Sequence, residues 1–269
     1  MIDRATTAAP FNRDTIRQAL NVICILAVIF VTVLGYVIGL NKSFTATNTG
    51  TPPIVPIDYA FIVWAVIYGG ALIYSIYQAL PGQREDPLQR RIGFFTASAY
   101  LATALWILFA QLGWNWLTVV CFVWILASLL GAFIPLIAVD ATLSWTQRLI
   151  IVFPLSVFLG WTTIALIANT GTALYDSGFS NVLLSDANWT ILMMLVGATI
   201  VLFVVLQSKG NIGYSLTVSW ALFGIMVANI VRTPNPSVAI VAGSLGVIVV
   251  LCMIYAWFTT NSWRHVLKS

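Results

Sequence analysis

Apolar residues in this chain come in long runs rather than in alternating or short amphipathic stretches. Eight runs are long enough to cross a bilayer: 19–40, 57–80, 93–113, 116–138, 149–169, 189–207, 213–231 and 238–258. A spanning helix needs about 20 mostly apolar residues, so each run predicts one helix. The breaks between runs carry turn chemistry. Pro52, Pro53 and Pro56 precede the second run, and Pro81 and Gly82 end it, with Pro87 following in a charged stretch. Gly113 starts a very short turn, and Pro234 and Pro236 separate the last two runs. A barrel would show short alternating segments, so the pattern predicts an all-α integral membrane protein of about eight transmembrane helices.

Composition agrees. The 269 residues include 12 Lys or Arg and 8 Asp or Glu, so 7% are charged, while 60% are hydrophobic and the mean hydropathy is +0.97. Soluble domains carry about 25% charged residues. Twenty charges cannot clothe a water-soluble fold of this size, which excludes a soluble enzyme and a disordered chain. A net charge of +4 is also too small for a phosphate-tracking surface, so nucleic acid is not an expected partner. Membrane lipid is.

Charge position matters more than charge number. With the N-terminus placed in the cytoplasm, Arg4, Arg13, Arg17, Arg84, Arg90, Arg91, Arg148, Lys209, Arg264 and Lys268 fall on the inner side. Only Lys42 and Arg232 fall outside. This asymmetry follows the positive-inside rule and predicts both termini cytoplasmic. The first run is too long for a secretory signal and lacks a small-residue cleavage site. The expected order is a cytoplasmic segment 1–18, five helices over 19–170, an outer loop 171–188, three more helices over 189–258, and a cytoplasmic tail 259–269.

Several chemistries are excluded. Cys24, Cys121 and Cys252 lie inside apolar runs, and the single histidine, His265, is near the end, so no metal site is expected. No ionisable residue stands near mid-membrane. Asp58 and Asp140 flank spans, and the buried polar side chains are amides such as Gln78, Gln111, Asn169 and Asn229. An ion-driven pump is therefore not expected, and no nucleophile–base pair supports an enzyme.

Eleven tryptophans remain to be explained. Trp114, Trp116, Trp145, Trp189, Trp257 and Trp263 stand at span ends, as an interfacial belt requires. Others lie deeper. At a rise of about 1.5 Å per residue, Trp64 is about 9 Å from Asp58, Trp106 about 10 Å from Gly113, and Trp161 about 12 Å from Asn169. All three share one depth in the outer half. Phe61, Trp64 and Tyr68 form one helical stripe, and Phe158, Trp161, Ala165 and Asn169 form another. Facing each other, they would line an aromatic cleft with a polar rim, a usual composition for a small-molecule site. Plain helix packing yields the same pattern.

The same residues carry a resemblance. The second run, PPIVPIDYAFIVWAVIY, and the fifth, PLSVFLGWTTIALIAN, resemble the second and fifth helices of the TspO/MBR family, the tryptophan-rich sensory proteins. Phe61, Trp64 and Tyr68, then Trp161, Ala165 and Asn169, match that family's residues in order. Trp106 is similar to the Trp of its third helix. The likeness covers roughly residues 20–170. Thr103 stands where the family often has Asn, Pro154 lies seven residues before Trp161 rather than four, and Tyr175 is not followed closely by Lys or Arg. Most members stop after five helices, so the chain is similar to the long bacterial and cyanobacterial forms.

The resemblance implies a five-helix bundle with a ligand cavity capped by the first loop, followed here by three extra helices. It implies a receptor or carrier for a hydrophobic ligand, a porphyrin or other tetrapyrrole by class, bound by Phe61, Trp64, Tyr68, Trp106, Trp161, Ala165 and Asn169. It places the chain in a bacterial inner membrane or a cyanobacterial membrane. Slow tetrapyrrole degradation is the least supported role. A non-catalytic accessory or structural subunit of a larger membrane complex, such as a photosynthetic one, is the alternative, with small-residue pairs such as Gly35 and Gly39 allowing close helix contact with a homodimer or complex partner.

Overall fold

The computed structural model describes residues 13–39, 50–139, 142–179 and 182–260. Arg4, Lys42, Asp140, Trp263, Arg264, His265 and Lys268 lie outside the described residues. Among the described residues, eight helices are long and apolar enough to span a membrane. They are α1 (Arg13–Val37), α2 (Asp58–Ala79), α3 (Pro87–Leu112), α4 (Asn115–Val139), α5 (Trp145–Asp176), α6 (Asp186–Gln207), α7 (Ile212–Val231) and α8 (Pro236–Thr259). The expected helical membrane fold is present.

Local chemistry sets the helix ends. Asp86 caps α3 by accepting from the Leu88 and Gln89 N–H groups at 2.8 and 2.9 Å, with Pro87 in the first turn. Gly113 ends α3 at φ 75°, a left-handed position suited to glycine. Ser144 and Gln147 form a reciprocal capping box that starts α5. Asn211 and Asn235 cap α7 and α8.

Three spans run past their apolar cores. The first starts at Arg13 rather than 19, the third at Pro87 rather than 93, and the fifth extends from Trp145 to Asp176 rather than 149–169. Residues 171–176, expected in a loop, are therefore helical. The helix tolerates charges at these ends because they are paired. Asp14 receives Arg90 in a fork, Nε at 3.1 Å to both carboxylate oxygens and Nη2 at 2.6 Å.

Arg17, expected to be a solvated cytoplasmic charge, has 0% exposure. Its Nη2 donates to the Gln83 and Arg84 carbonyls at 3.3 and 2.7 Å, and its Nε stands 3.9 Å from Asp14. A polar seam continues inward. The Asn21 amide donates to Gly93 O at 2.7 Å and its carbonyl accepts from Thr96 at 2.6 Å, while Gln18 and Gln78 exchange side-chain-to-backbone bonds. These bonds join α1, α2 and α3 at the end of the bundle opposite the Pro-rich loop.

The first five helices close into a ring. Helix α1 packs on α2 and α3, α3 on α4, α4 on α5, and α5 back on α2. Helix α7 lies between α5 and α8, and α6 packs on α5 and α8. Close approach between α5 and α7 depends on glycine: a Cβ on Gly160 would stand 2.7 Å from the Tyr214 carbonyl oxygen. Large apolar side chains such as Ile23, Phe30, Val247 and Leu251 face outward from α1 and α8. Surfaces of this kind need hydrocarbon rather than water around them.

Candidate functional site

Near the end of the bundle that carries the Pro-rich loop, the aromatic residues of α2, α3 and α5 converge. The loop leads into a 3-10 turn, Asp58–Ile62, which opens α2. This turn sets Phe61 edge-on to Trp161 of α5, with ring centroids 5.4 Å apart at 80°. One turn on, Trp64 stacks on Trp106 of α3 at 5.0 Å and 20°. It also meets Trp161 at 6.2 Å and 81°, and Phe158 at 6.2 Å and 67°. Tyr68 follows against Trp64 at 5.2 Å. The α2 and α5 stripes do face each other, and Trp106 joins them at the same depth.

The rings touch one another in this conformation. Trp161 and Trp106 are 2% and 4% exposed, whereas Phe61, Trp64 and Tyr68 are half-buried along the edge of α2. Edge-to-face and offset contacts at these distances are the favourable arrangements for aromatic pairs. The exposed part of the cluster is therefore the α2 edge.

Polar groups divide sharply. The buried Trp161 indole N–H has no hydrogen-bond partner. Ala165, one turn further along α5, is buried and its carbonyl accepts from the Asn169 amide at 2.9 Å. The Asn169 carbonyl accepts from Thr118 of α4 at 3.1 Å. Asn169 thus faces α4 and is engaged there, rather than standing open at a rim as the spacing suggested.

Two contributors lie beyond the predicted set. Phe122 of α4 packs edge-on to Trp106 at 5.0 Å and 61°. Tyr100 of α3 lies parallel to Phe158 at 6.5 Å. Helix α4 is apolar on every face, so no periodic signal singles out Phe122. The local geometry of α5 was equally hidden. Residues Arg148–Val152 form a π-helical turn just before Pro154. Proline lacks an N–H and its ring clashes with the carbonyl four residues earlier, and the wider turn relieves both problems. It is followed by close contact with α2, where a Cβ on Gly70 would stand 2.6 Å from Pro154 Cβ.

The Pro-rich loop is held from the other side by α7. Arg232 follows that helix and reaches the Val55 and Pro56 carbonyls. Partial burial lowers its guanidinium from the ordinary value, and Asp58, 3.8 Å away, opposes the shift.

These features define a class: a multi-pass helical membrane protein with a tryptophan cluster enclosed between its second, third and fifth helices. The family model for TSPO-like protein matches residues 18–255, and the chain belongs to that family. The match runs through α6, α7 and most of α8, so the further helices fall within it. No curated protein and no solved structure matches the chain.

Proposed function

We propose that the chain is a membrane receptor or carrier for a flat hydrophobic ligand, a tetrapyrrole by class, taken up at the aromatic cluster. One observation carries this reading: the Trp161 N–H is buried among aromatic faces without a partner. Buried donors are nearly always satisfied, so an orphan inside a cluster marks a group that something else completes. A ring with hydrogen-bond acceptors supplies that partner, and its faces stack on Trp64, Trp106 and Phe61. Ala165 keeps the α5 wall low, and Tyr68 offers a hydroxyl at the edge.

Because Trp64 and Trp106 are in contact, Trp64 has to swing away to admit a ring. The ligand therefore selects an open form of the α2 edge. The reading is one of binding rather than chemistry on the ligand. The orientation that goes with it has both termini in the cytoplasm and the Pro-rich loop outside, in a bacterial inner membrane or a cyanobacterial membrane. The first five helices form the ligand-binding unit, and 189–258 is an addition to it.

The absorbance of the natively purified protein tests this. An intense Soret band that co-elutes with the protein is expected, and Trp161→Phe reduces it. A chain that carries no band and gains none after incubation with protoporphyrin IX contradicts the proposal.

A further inference from the structure

The segment from Pro52 to Ile62 covers one end of the cluster's α5 wall. Ile54 is fully buried against α5, where a Cβ on Gly171 would stand 2.7 Å from Ile54 Cγ2. The segment then delivers Phe61 onto Trp161. A displacement of the start of α2 that carries Phe61 off Trp161 moves this segment with it.

Its first half, 52–57, has little internal support. Three prolines remove backbone donors there, its own bond is Val55 N–H to Pro52 O, and Ala60 N–H to Ile57 O leads into the 3-10 turn Asp58–Ile62. Helix α7 provides the rest. Asn229 Nδ2 donates to Pro53 O at 2.7 Å. Arg232 Nη2 donates to Val55 O at 2.7 Å and Nη1 to Pro56 O at 3.2 Å. Trp220 Nε1 donates to Ala60 O at 3.0 Å, and Ile57 N–H donates to Gly224 O at 3.0 Å. Glycine is required at 224, because a Cβ there would stand 2.8 Å from Ala60 Cβ. Four carbonyls of the segment, those of Pro53, Val55, Pro56 and Ala60, are thus met by side chains of α7 and of Arg232 just after it. The Arg232–Asp58 ion pair adds little, since the Asp58 carboxylate is 78% exposed.

We propose that α7 is a latch: Asn229 and Arg232 are positioning residues that hold the 52–62 segment closed and set the rate at which the aromatic cluster opens. Opening the segment strips the carbonyls around the buried Ile54, Val55 and Ala60 of their donors, which costs free energy. Each donor removed in advance lowers that cost and raises the open population. The ligand-entry half of the proposal rests on the binding function above; the latch itself does not.

The test uses the full chain in detergent, with hydrogen exchange of the 52–62 peptide and the association rate of protoporphyrin IX as readouts. Arg232→Ala and Asn229→Ala are expected to raise exchange in that peptide about tenfold, with peptides from α1 and α3 unchanged. The association rate rises by a similar factor. Arg232→Lys restores part of the protection. Trp220→Phe, which keeps an aromatic ring at a half-exposed position and loses the N–H to Ala60 O, gives a smaller rise in the same peptide and guards against a folding defect in the alanine variants. Unchanged exchange in all of them overturns the latch. Raised exchange with an unchanged association rate overturns its control of entry. A wild-type chain that binds no porphyrin removes the ligand reading, while the exchange data still decide the latch.

Discussion

A chain carrying Trp64→Ala and Trp161→Phe together is expected to bind protoporphyrin IX about thirtyfold more weakly than the wild type. The first change removes a stacking face at the half-buried edge of α2, and aromatic contacts of this kind contribute about 0.5–1.5 kcal/mol each. The second keeps a ring in the buried wall of α5 but deletes its unpaired N–H, and a hydrogen bond contributes about 1 kcal/mol net. Their sum is about 2 kcal/mol, and each 1.4 kcal/mol is roughly tenfold in affinity. Phenylalanine at 161 keeps an aromatic ring in the buried wall, the smallest change that removes the N–H. Trp124→Phe is the control. That residue lies on α4, is 39% exposed and donates to Ser98, away from the cluster. Titrations followed by tryptophan fluorescence check all three. Equal affinity of the double variant and the wild type would show that these rings only fill space.

The second large effect lies at the opposite end of the bundle. Arg17→Leu is expected to destabilise the protein by about 1.5–3 kcal/mol, the range for hydrogen bonds made by a charged group. Arg17 is fully buried, and its Nη2 closes the turn between α2 and α3 by holding the Gln83 and Arg84 carbonyls. Leucine leaves both carbonyls without that donor and leaves Asp14 leaning on Arg90 alone among these contacts. Gly93 is also committed to this side chain, since a Cβ there would stand 2.6 Å from Arg17 Cδ. Arg91→Leu, at an exposed position on the same end, provides the comparison. Thermal unfolding in detergent should show a far larger drop for Arg17→Leu; equal drops would mean that the buried seam does not hold the helices together.

Much of the architecture was legible because lipid imposes a length. Eight apolar runs of spanning size give eight helices, since a shorter or polar segment leaves backbone groups unpaired in hydrocarbon. Helix ends were less legible because they depend on partners distant in sequence. Asp14 and Arg17 depress the hydropathy of the first run, yet the helix continues through them because Arg90 and the turn at 83–84 receive their charges. No local pattern announces that pairing. The same holds for α5, where the capping box at Ser144 and the π-helical turn before Pro154 set the true start.

The candidate site shows the same division. Phe61, Trp64, Phe158 and Trp161 were readable from helical spacing, because residues three and seven apart share a face. Trp106 was readable from depth. Asn169 was placed at the correct turn of α5, but its direction was not readable: Thr118 of α4 turns it away from α2. Asn229 and Arg232 read only as a buried amide and an outer charge. Their partners lie about 176 residues earlier, in a proline-rich segment whose carbonyls have no periodic signature.

The central claim is that the cluster of α2, α3 and α5 binds a tetrapyrrole, and a fluorescence titration of the purified wild-type chain tests it most directly. Protoporphyrin IX should quench tryptophan emission saturably at micromolar concentration, with one ligand bound per chain. A titration with no quenching, or with only linear, unsaturable quenching matched by free tryptophan in the same detergent, would contradict it.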